Sequence, residues 1–371
     1  MTGPAPARLM AGLALGCQEP LARRYDVALL DLDGVVYVGP DAVPGVPAAL
    51  AAARSAGMRL GFVTNNAART PEEVADHLTE LQVPAEPTDV ITSSQAAATV
   101  VAGLLGAGAR VLPIGGPGVA AALAAAGLAV VDSADDRPDA VVQGYGREVG
   151  WAQLAEAVVA VRNGARHVAT NADASIPSPR GPLPGNGAMV SVVRGVTGQE
   201  PLVTGKPDPA MHAECVRRTG ARSPLVVGDR LDTDIEGARR AGAASLLVFS
   251  GVTDPSTLLA AGPRHRPDLL AADCTGLLHA HPPVTAEGAA WRCGGWTVRS
   301  VEGGHGLQLA GPDGDVPAAD GESDGLDGLR ALCVAHWAAH PDDGAPVRVV
   351  GTGRAAADLV ASWGLAAPGG S

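Results

Sequence analysis

The stretch VALLDLDG, residues 27–34, sets two carboxylates, Asp31 and Asp33, directly after an apolar run and directly before a glycine. Consecutive apolar residues bounded by a turn signal read as a strand covered on both faces, the pattern of parallel sheets, and predict a strand over 27–33. A carboxylate at the mouth of such a strand must stay solvated or find a partner. Open α/β sheets bind ligands at the carboxyl ends of their strands, so the pair marks a candidate site.

Outward from that stretch the chain alternates. A helix over 45–56 and a strand over 59–65, in RLGFVTNN, complete a βαβ unit. TPEEVADHLTEL opens a helix with Thr70 as N-cap, Pro71 in the first turn and Glu73 closing a capping box. Further on, the pattern predicts strands at 110–115, 128–131, 140–145 and 167–171, and helices at 117–126 and 151–162. After the Pro/Gly-rich loop ASIPSPRGPLPGNGAM come two more strand–helix steps, closed by Gly220 and Gly242, and a strand at 245–251. From about residue 282 the texture changes, because Trp291, Trp296, Trp337 and Trp363 all lie there; a separate small domain is expected, with an exposed loop at 312–325.

Composition narrows the function classes. A net charge of −12 without a Lys/Arg run argues against nucleic acid and against a membrane surface. Five scattered cysteines, Cys17, Cys215, Cys274, Cys293 and Cys333, form no C-x-x-C pair, which points to a reducing cytoplasm rather than a disulfide framework. The apolar run LMAGLALGC, residues 9–17, imitates a lipoprotein signal but is short for one, so an N-terminal tail over 1–24 is expected, and no transmembrane segment. Cations are almost all arginine; Lys206 is the single lysine.

The strand ends carry Asp31 and Asp33, then Thr64 and Asn65, then Lys206, then Asp229 and Asp234. On one rim of a parallel sheet these would supply a nucleophile, a second carboxyl, hydroxyl and amide donors, a cation and an acidic cluster. A carboxylate approaching a phosphate monoester is repelled by it, by about 1 kcal/mol per charge pair at 4 Å in water and more when desolvated. Mg²⁺, a hard cation taking oxygen ligands, offsets that, and Asp31, the backbone carbonyl of Asp33, and Asp229 can bind it. Asp33 suits proton transfer: it can protonate a leaving alkoxide and later deprotonate water.

The segments DLDGVVY, TNN, TGKPDP and GDRLDTDI resemble, in order, the four motifs of the haloacid dehalogenase superfamily, over residues 25–280, and are most similar to the class IIA, NagD-like subgroup of small-metabolite phosphatases. The resemblance implies an α/β fold with a Rossmann-like parallel-sheet core at 25–90 and 203–281 and an α/β cap domain inserted at 91–202; the change of texture adds a small C-terminal α+β domain at 282–371. It implies Asp31 as nucleophile, Asp33 as acid/base, Gly34, Thr64, Asn65, Asn66 and Lys206 as phosphate contacts, Asp31, Asp33 and Asp229 as magnesium ligands, and Asp234 in support. Spacing agrees with an insertion: Lys206 and Asp229 are one βα step apart, whereas Thr64 and Lys206 are 142 residues apart. Tyr145, Asn171, Asp173, Ile176 and Pro177 become the candidates for facing the substrate, and the absence of a bulky or imidazole side chain near Ile176 argues against aromatic phosphates.

The expected activity is therefore a Mg²⁺-dependent phosphomonoesterase acting on a small phosphorylated metabolite through a phosphoaspartate. The best candidate is glycerol 3-phosphate; phosphoglycolate, sugar, nucleotide or 4-nitrophenyl phosphates are the alternatives, and a homodimer is compatible with the pattern. A receiver-type signalling module, the rival from another class, needs neither Asp33 nor an insertion of this size. IGGPGVAAAL, 114–123, lacks dinucleotide-loop spacing and reads as a strand–helix turn. His336 and His340 in HWAAH have the spacing of zinc ligands but no glutamate after the first, so a structural role is favoured. The tail faintly resembles a truncated acetyltransferase-like unit, and VRVVGTGRAAADL, 347–359, reads as strand, glycine turn and helix; packing or regulation is its expected role.

Overall fold

The computed structural model describes residues 12–176, 178, 180–301, 306–312 and 324–365; Pro177 and most of the loop expected at 312–325 lie outside the described residues. β1 (Val27–Leu30) is buried throughout. It stops short of residue 33 because the chain turns at once: the Leu32 carbonyl accepts from the N–H groups of Val35, Val36 and Tyr37, and Gly34 has φ +85°. Asp31 and Asp33 thus lie in a tight loop after the strand, not in it.

α1 (Val46–Ser55) and β2 (Arg59–Thr64) follow as expected. α2 (Pro71–Glu80) has its capping box, Glu73 N donating to Thr70 Oγ1 at 3.3 Å and Thr70 N to Glu73 Oε2 at 2.8 Å. The sequence pattern places no element between 90 and 110, but β3 (Val90–Thr92) and α3 (Ser93–Leu105) lie there. The first six residues of α3 are all buried, so no polar face marks the helical period. Then come β4 (Arg110–Ile114), α4 (Pro117–Ala125), β5 (Ala129–Val130), β6 (Ala140–Gln143), α5 (Trp151–Arg162), β7 (Arg166–Ala169), α6 (Asn186–Thr197), β8 (Leu202–Val203) and α7 (Pro209–Thr219). The chain continues through β9 (Pro224–Gly228), a π-helical turn at Leu231–Ile235, α8 (Glu236–Ala241), β10 (Ala244–Val248), α9 (Pro255–Leu259) and β11 (Leu269–Ala271). Gly220 and Gly242 end α7 and α8 in the left-handed conformation, as predicted.

The chain divides into two compact units, Met1–Leu60 with Ser223–Ser371, and Gly61–Arg222. In the first, β11, β10, β9 and β1 lie side by side in that order, all parallel, with Leu29 opposite Val226 and Leu246 opposite Leu269. The C-terminal residues add a five-stranded sheet in chain order, β12 (Thr285–Glu287), β13 (Ala290–Cys293), β14 (Trp296–Ser300), β15 (Gly306–Ala310) and β16 (Arg348–Thr352), antiparallel except for the last pair. Its helices are α10 (Asp327–Ala339) and α11 (Arg354–Ser362).

This tail shares one hydrophobic interior with the parallel strands: Leu329, Leu332 and Trp337 of α10 cluster with Leu247, Leu258 and Leu270. Arg330, with its side chain 2% exposed, donates to the Leu270 carbonyl at 2.6 Å and pairs with Asp324 and Asp327. Arg266 reaches the other way, donating to the carbonyls of His340 and Asp343 beyond the end of α10. His336 is buried and bonds the Ala345 carbonyl at 2.7 Å, so it serves packing. Within the expected N-terminal tail, Leu13 joins the same interior and Cys17 exchanges backbone hydrogen bonds with His281.

In the second unit β2 and β3 pair in parallel, and a fully parallel sheet runs β8-β7-β6-β4-β5. Leu202–Val203, expected beside the strands carrying Asp31 and Asp229, pairs instead with β7, Leu202 opposite Val168. A two-residue strand has too little pattern to declare its neighbour; the long-range register decides. Separate apolar clusters cover the two faces of this sheet. IGGPG is a packing joint: a Cβ on Gly118 would lie 2.3 Å from the Arg69 carbonyl oxygen, and Gly118 N donates to Ala68 O. No helix among the described residues is long and apolar enough to cross a membrane.

Candidate active site

In the first unit, ligand oxygens of Asp31, Asp229 and Asp234 lie within 4.8 Å of one another, the one such group of possible metal ligands among the described residues. β1 and β9 are hydrogen-bonded neighbours, which sets Asp31 beside the strand that ends in Gly228 and Asp229; Asp31 N donates to Val227 O at 2.9 Å. Asp234 is carried back by the π turn, and its Oδ2 accepts from Arg230 N. Such a turn adds a residue to the helical ladder and re-aims side chains, as π turns at functional sites do. Asp229 and Asp234 are 0% and 1% exposed. Carboxylates at this spacing repel by roughly 3 kcal/mol per pair at an effective dielectric near 20, so the cluster suits a hard divalent cation. Asp33 is exposed, on the loop two residues after Asp31.

Three glycines let the backbone close on these acids. A Cβ would fall 2.5 Å from Asp229 Oδ2 at Gly34, 2.0 Å from it at Gly251, and 2.2 Å from Asp234 Cβ at Gly228. Val252 N donates to Asp229 Oδ2 at 2.7 Å, and Ser250 Oγ donates to the Gly34 carbonyl. Sequence reasoning named Gly34 but missed Gly228 and the Ser250–Val252 loop after β10; their only signal was a glycine at the end of an apolar strand.

The second unit gathers the other candidates. Thr64 is buried at the end of β2, its Oγ1 accepting from Asn66 N at 3.0 Å. Asn65 clamps the lysine's backbone: Lys206 N donates to Asn65 Oδ1 at 2.9 Å, and Asn65 Nδ2 donates to Lys206 O at 3.1 Å. Asn65 Nδ2 also reaches Asp173 Oδ2, while Asn171 Nδ2 donates to the Asn65 carbonyl at 2.7 Å. Gly205 makes the clamp possible, since a Cβ there would meet the Thr170 carbonyl oxygen at 2.2 Å and Asn65 Oδ1 at 2.7 Å. Thr64, Asn65, Asn66, Asn171, Asp173 and Lys206 are thus brought into one hydrogen-bonded neighbourhood. Tyr145, after β6, and Ile176, in a short hairpin opposite Leu183, sit on other loops of this unit and take no part in these bonds.

Residues 28–129 match the haloacid dehalogenase-like hydrolase model and 203–277 a second model of that family. A D-glycerol 3-phosphate phosphatase of Mycobacterium tuberculosis is 42% identical over 94% of this chain and 96% of its own length. The chain belongs to the haloacid dehalogenase-like hydrolase family. A glycerol phosphate phosphatase structure from that organism, in complex with calcium, superposes with a TM-score of 0.84 at 40% identity, covering 95% of this chain and 100% of that one; its magnesium complex gives 0.82. An acid sugar phosphatase of Staphylococcus aureus is 39% identical over 62% of this chain and 89% of its own length. Residues 293–365 match a GCN5-related N-acetyltransferase-like domain, in agreement with the resemblance seen in the tail.

Proposed function

We propose that this hydrolase is a Mg²⁺-dependent phosphomonoesterase whose substrate is glycerol 3-phosphate. The observation that carries the reading is the extent of the similarity: the relative named for D-glycerol 3-phosphate matches 94% of this chain, tail included, whereas the acid sugar phosphatase matches 62%. Asp31 is the proposed nucleophile: its carboxylate oxygen attacks phosphorus, a phosphoaspartate forms and the glycerol oxygen leaves. Asp33, exposed on the loop beside it, donates a proton to that oxygen and takes one from the water that cleaves the acyl phosphate. Asp31, Asp229 and the Asp33 carbonyl are the proposed magnesium ligands, with Asp234 in support; the bound ion supplies the positive charge that lets a carboxylate approach a phosphate dianion.

Lys206 neutralises phosphoryl charge, and Gly34, Thr64, Asn65 and Asn66 hold the remaining oxygens. Tyr145, Asn171 and Asp173 offer hydrogen bonds to a polyol, with Ile176 lining the leaving-group side; a site built to bond hydroxyls rejects ligands that leave its polar groups unpaired. The five free cysteines favour the cytoplasm as the compartment. A homodimer is the proposed assembly, supported by the exposed Val192 and Val196 of α6 and Leu202 of the edge strand β8; sedimentation as a monomer removes it.

The deciding experiment compares kcat/KM for glycerol 3-phosphate, phosphoglycolate, a sugar phosphate, pyridoxal phosphate and UMP in Mg²⁺. Preference for glycerol 3-phosphate is expected. A clear preference for another ester overturns the substrate assignment, and no phosphate release from any ester overturns the reaction.

A further inference from the structure

Behind the Asn65–Lys206 clamp the second unit holds a buried polar column with no evident packing purpose. Asn186, in the first turn of α6 and 2% exposed, donates through Nδ2 to the carbonyls of Asn171 at 2.9 Å and Gln143 at 3.2 Å. The Gln143 side chain in turn meets His167 Nε2 at 3.0 Å, between neighbouring strands β6 and β7. Gln143 and His167 are 0% and 5% exposed, among apolar residues that cover this face. Together with the site contacts this makes a continuous chain, His167–Gln143–Asn186–Asn171–Asn65–Lys206. Three of its buried atoms, Gln143 Nε2, His167 Nδ1 and Asn186 Oδ1, have no hydrogen-bond partner in the protein.

Buried polar atoms are expensive unless satisfied, and native proteins keep few of them. Apolar side chains would fill this face more cheaply, so the column needs a purpose. Asn186 occupies the pivot, because its one amide nitrogen ties the loop that begins at Asn171 to the end of β6. The Gly187 N–H bonds the Asp173 carbonyl, so α6 holds that loop at a second point.

We propose that Asn186 is a positioning residue for the reaction: it fixes the 171–173 loop and, through Asn171 and Asn65, the position of Lys206. The inference rests on the phosphatase reading above and names a residue that reading does not use. Losing the Nδ2 donors frees the Asn171 carbonyl, and the displacement passes to Lys206, whose contribution is to phosphoryl transfer rather than to leaving-group recognition.

The test measures kcat and KM of Asn186→Ala and Asn186→Ser with glycerol 3-phosphate and with 4-nitrophenyl phosphate. Val193→Ala, which opens space on the same helix at a fully buried apolar position, controls for stability. Expected is a fall in kcat of about tenfold for both esters in Asn186→Ala, partial recovery in Asn186→Ser, whose hydroxyl restores one donor, and wild-type kcat in Val193→Ala at a similar loss of thermal midpoint. Wild-type kcat in Asn186→Ser and Asn186→Ala alike, or equal losses in Val193→Ala, overturns the positioning role. If Asn186→Ala does not fold, Asn186→Ser against Val193→Ala carries the comparison. Should the wild type itself hydrolyse neither ester, the phosphatase reading fails instead, so the two failures are distinguishable.

Discussion

Asp31 and Asp229 each announce themselves by standing where an apolar strand runs out, and the fold sets their carboxylates together with that of Asp234. If Asp31 is the nucleophile, Asp31→Asn should lower kcat at least about a thousandfold, since an amide does not attack phosphorus, while leaving the thermal midpoint near wild type. Turnover within tenfold of wild type would sink the assignment. Lys206→Arg should be impaired despite its charge, because Asn65 grips a backbone placed for a compact ammonium and the guanidinium fork is broader; a near-native kcat would show that charge alone suffices. Gly251 carries no such announcement, yet a Cβ there would overlap Asp229 Oδ2. Gly251→Ala should weaken Mg²⁺ binding about tenfold, measured by calorimetry without substrate. His167 gives a pH prediction. Burial lowers it from 6.5 to about 4, so between those values the unfolded chain binds a proton that the native state refuses. Stability is therefore complete above pH 6.5 and declines as the pH falls toward 4. Because burial shifts His281 and His336 the same way, denaturant midpoints of His167→Gln should be compared with wild type across that range; the variant should fall less steeply.

Elements were legible where their ends or faces carried chemistry. α2 was readable from Thr70, Pro71 and Glu73, and its reciprocal cap is present as predicted. α3 was not, because its first six residues are all buried and remove the amphipathic period on which recognition depends. Strand ends were overestimated at β1, β6 and β10, since the chain turns into a loop before the sequence pattern declares an end. The same competition placed β8 beside β7: the residues before Lys206 look like any short strand, and only the sheet that accepts them assigns their neighbours.

At the scale of the whole molecule, the tail's texture suggests a module that deletion should spare, and the shared interior argues otherwise. Removing residues 282–371 would expose Leu247, Leu258 and Leu270 and leave Arg266 buried in part without the carbonyls it bonds. Leu-sized side chains each contribute about 1.5–3 kcal/mol on burial, so exposing these three costs about 5–9 kcal/mol, comparable with a typical net stability of about 5–15 kcal/mol. The truncated chain should be aggregated or bind a hydrophobic dye strongly; a monodisperse, cooperatively melting truncation would refute this. The sequence by itself marked the strand–helix alternation on either side of residues 90–110 and singled out Asp31, Asp33, Thr64, Lys206 and Asp229 as candidates, because strand mouths, caps and spacing are local properties of the chain. Tertiary structure alone decided that Asn65 holds Lys206 from 141 residues away, that Gly251 closes over Asp229, and that the tail is fused into the first unit's core. Each of those depends on contacts between residues distant along the chain, where no periodicity or cap reports the neighbour.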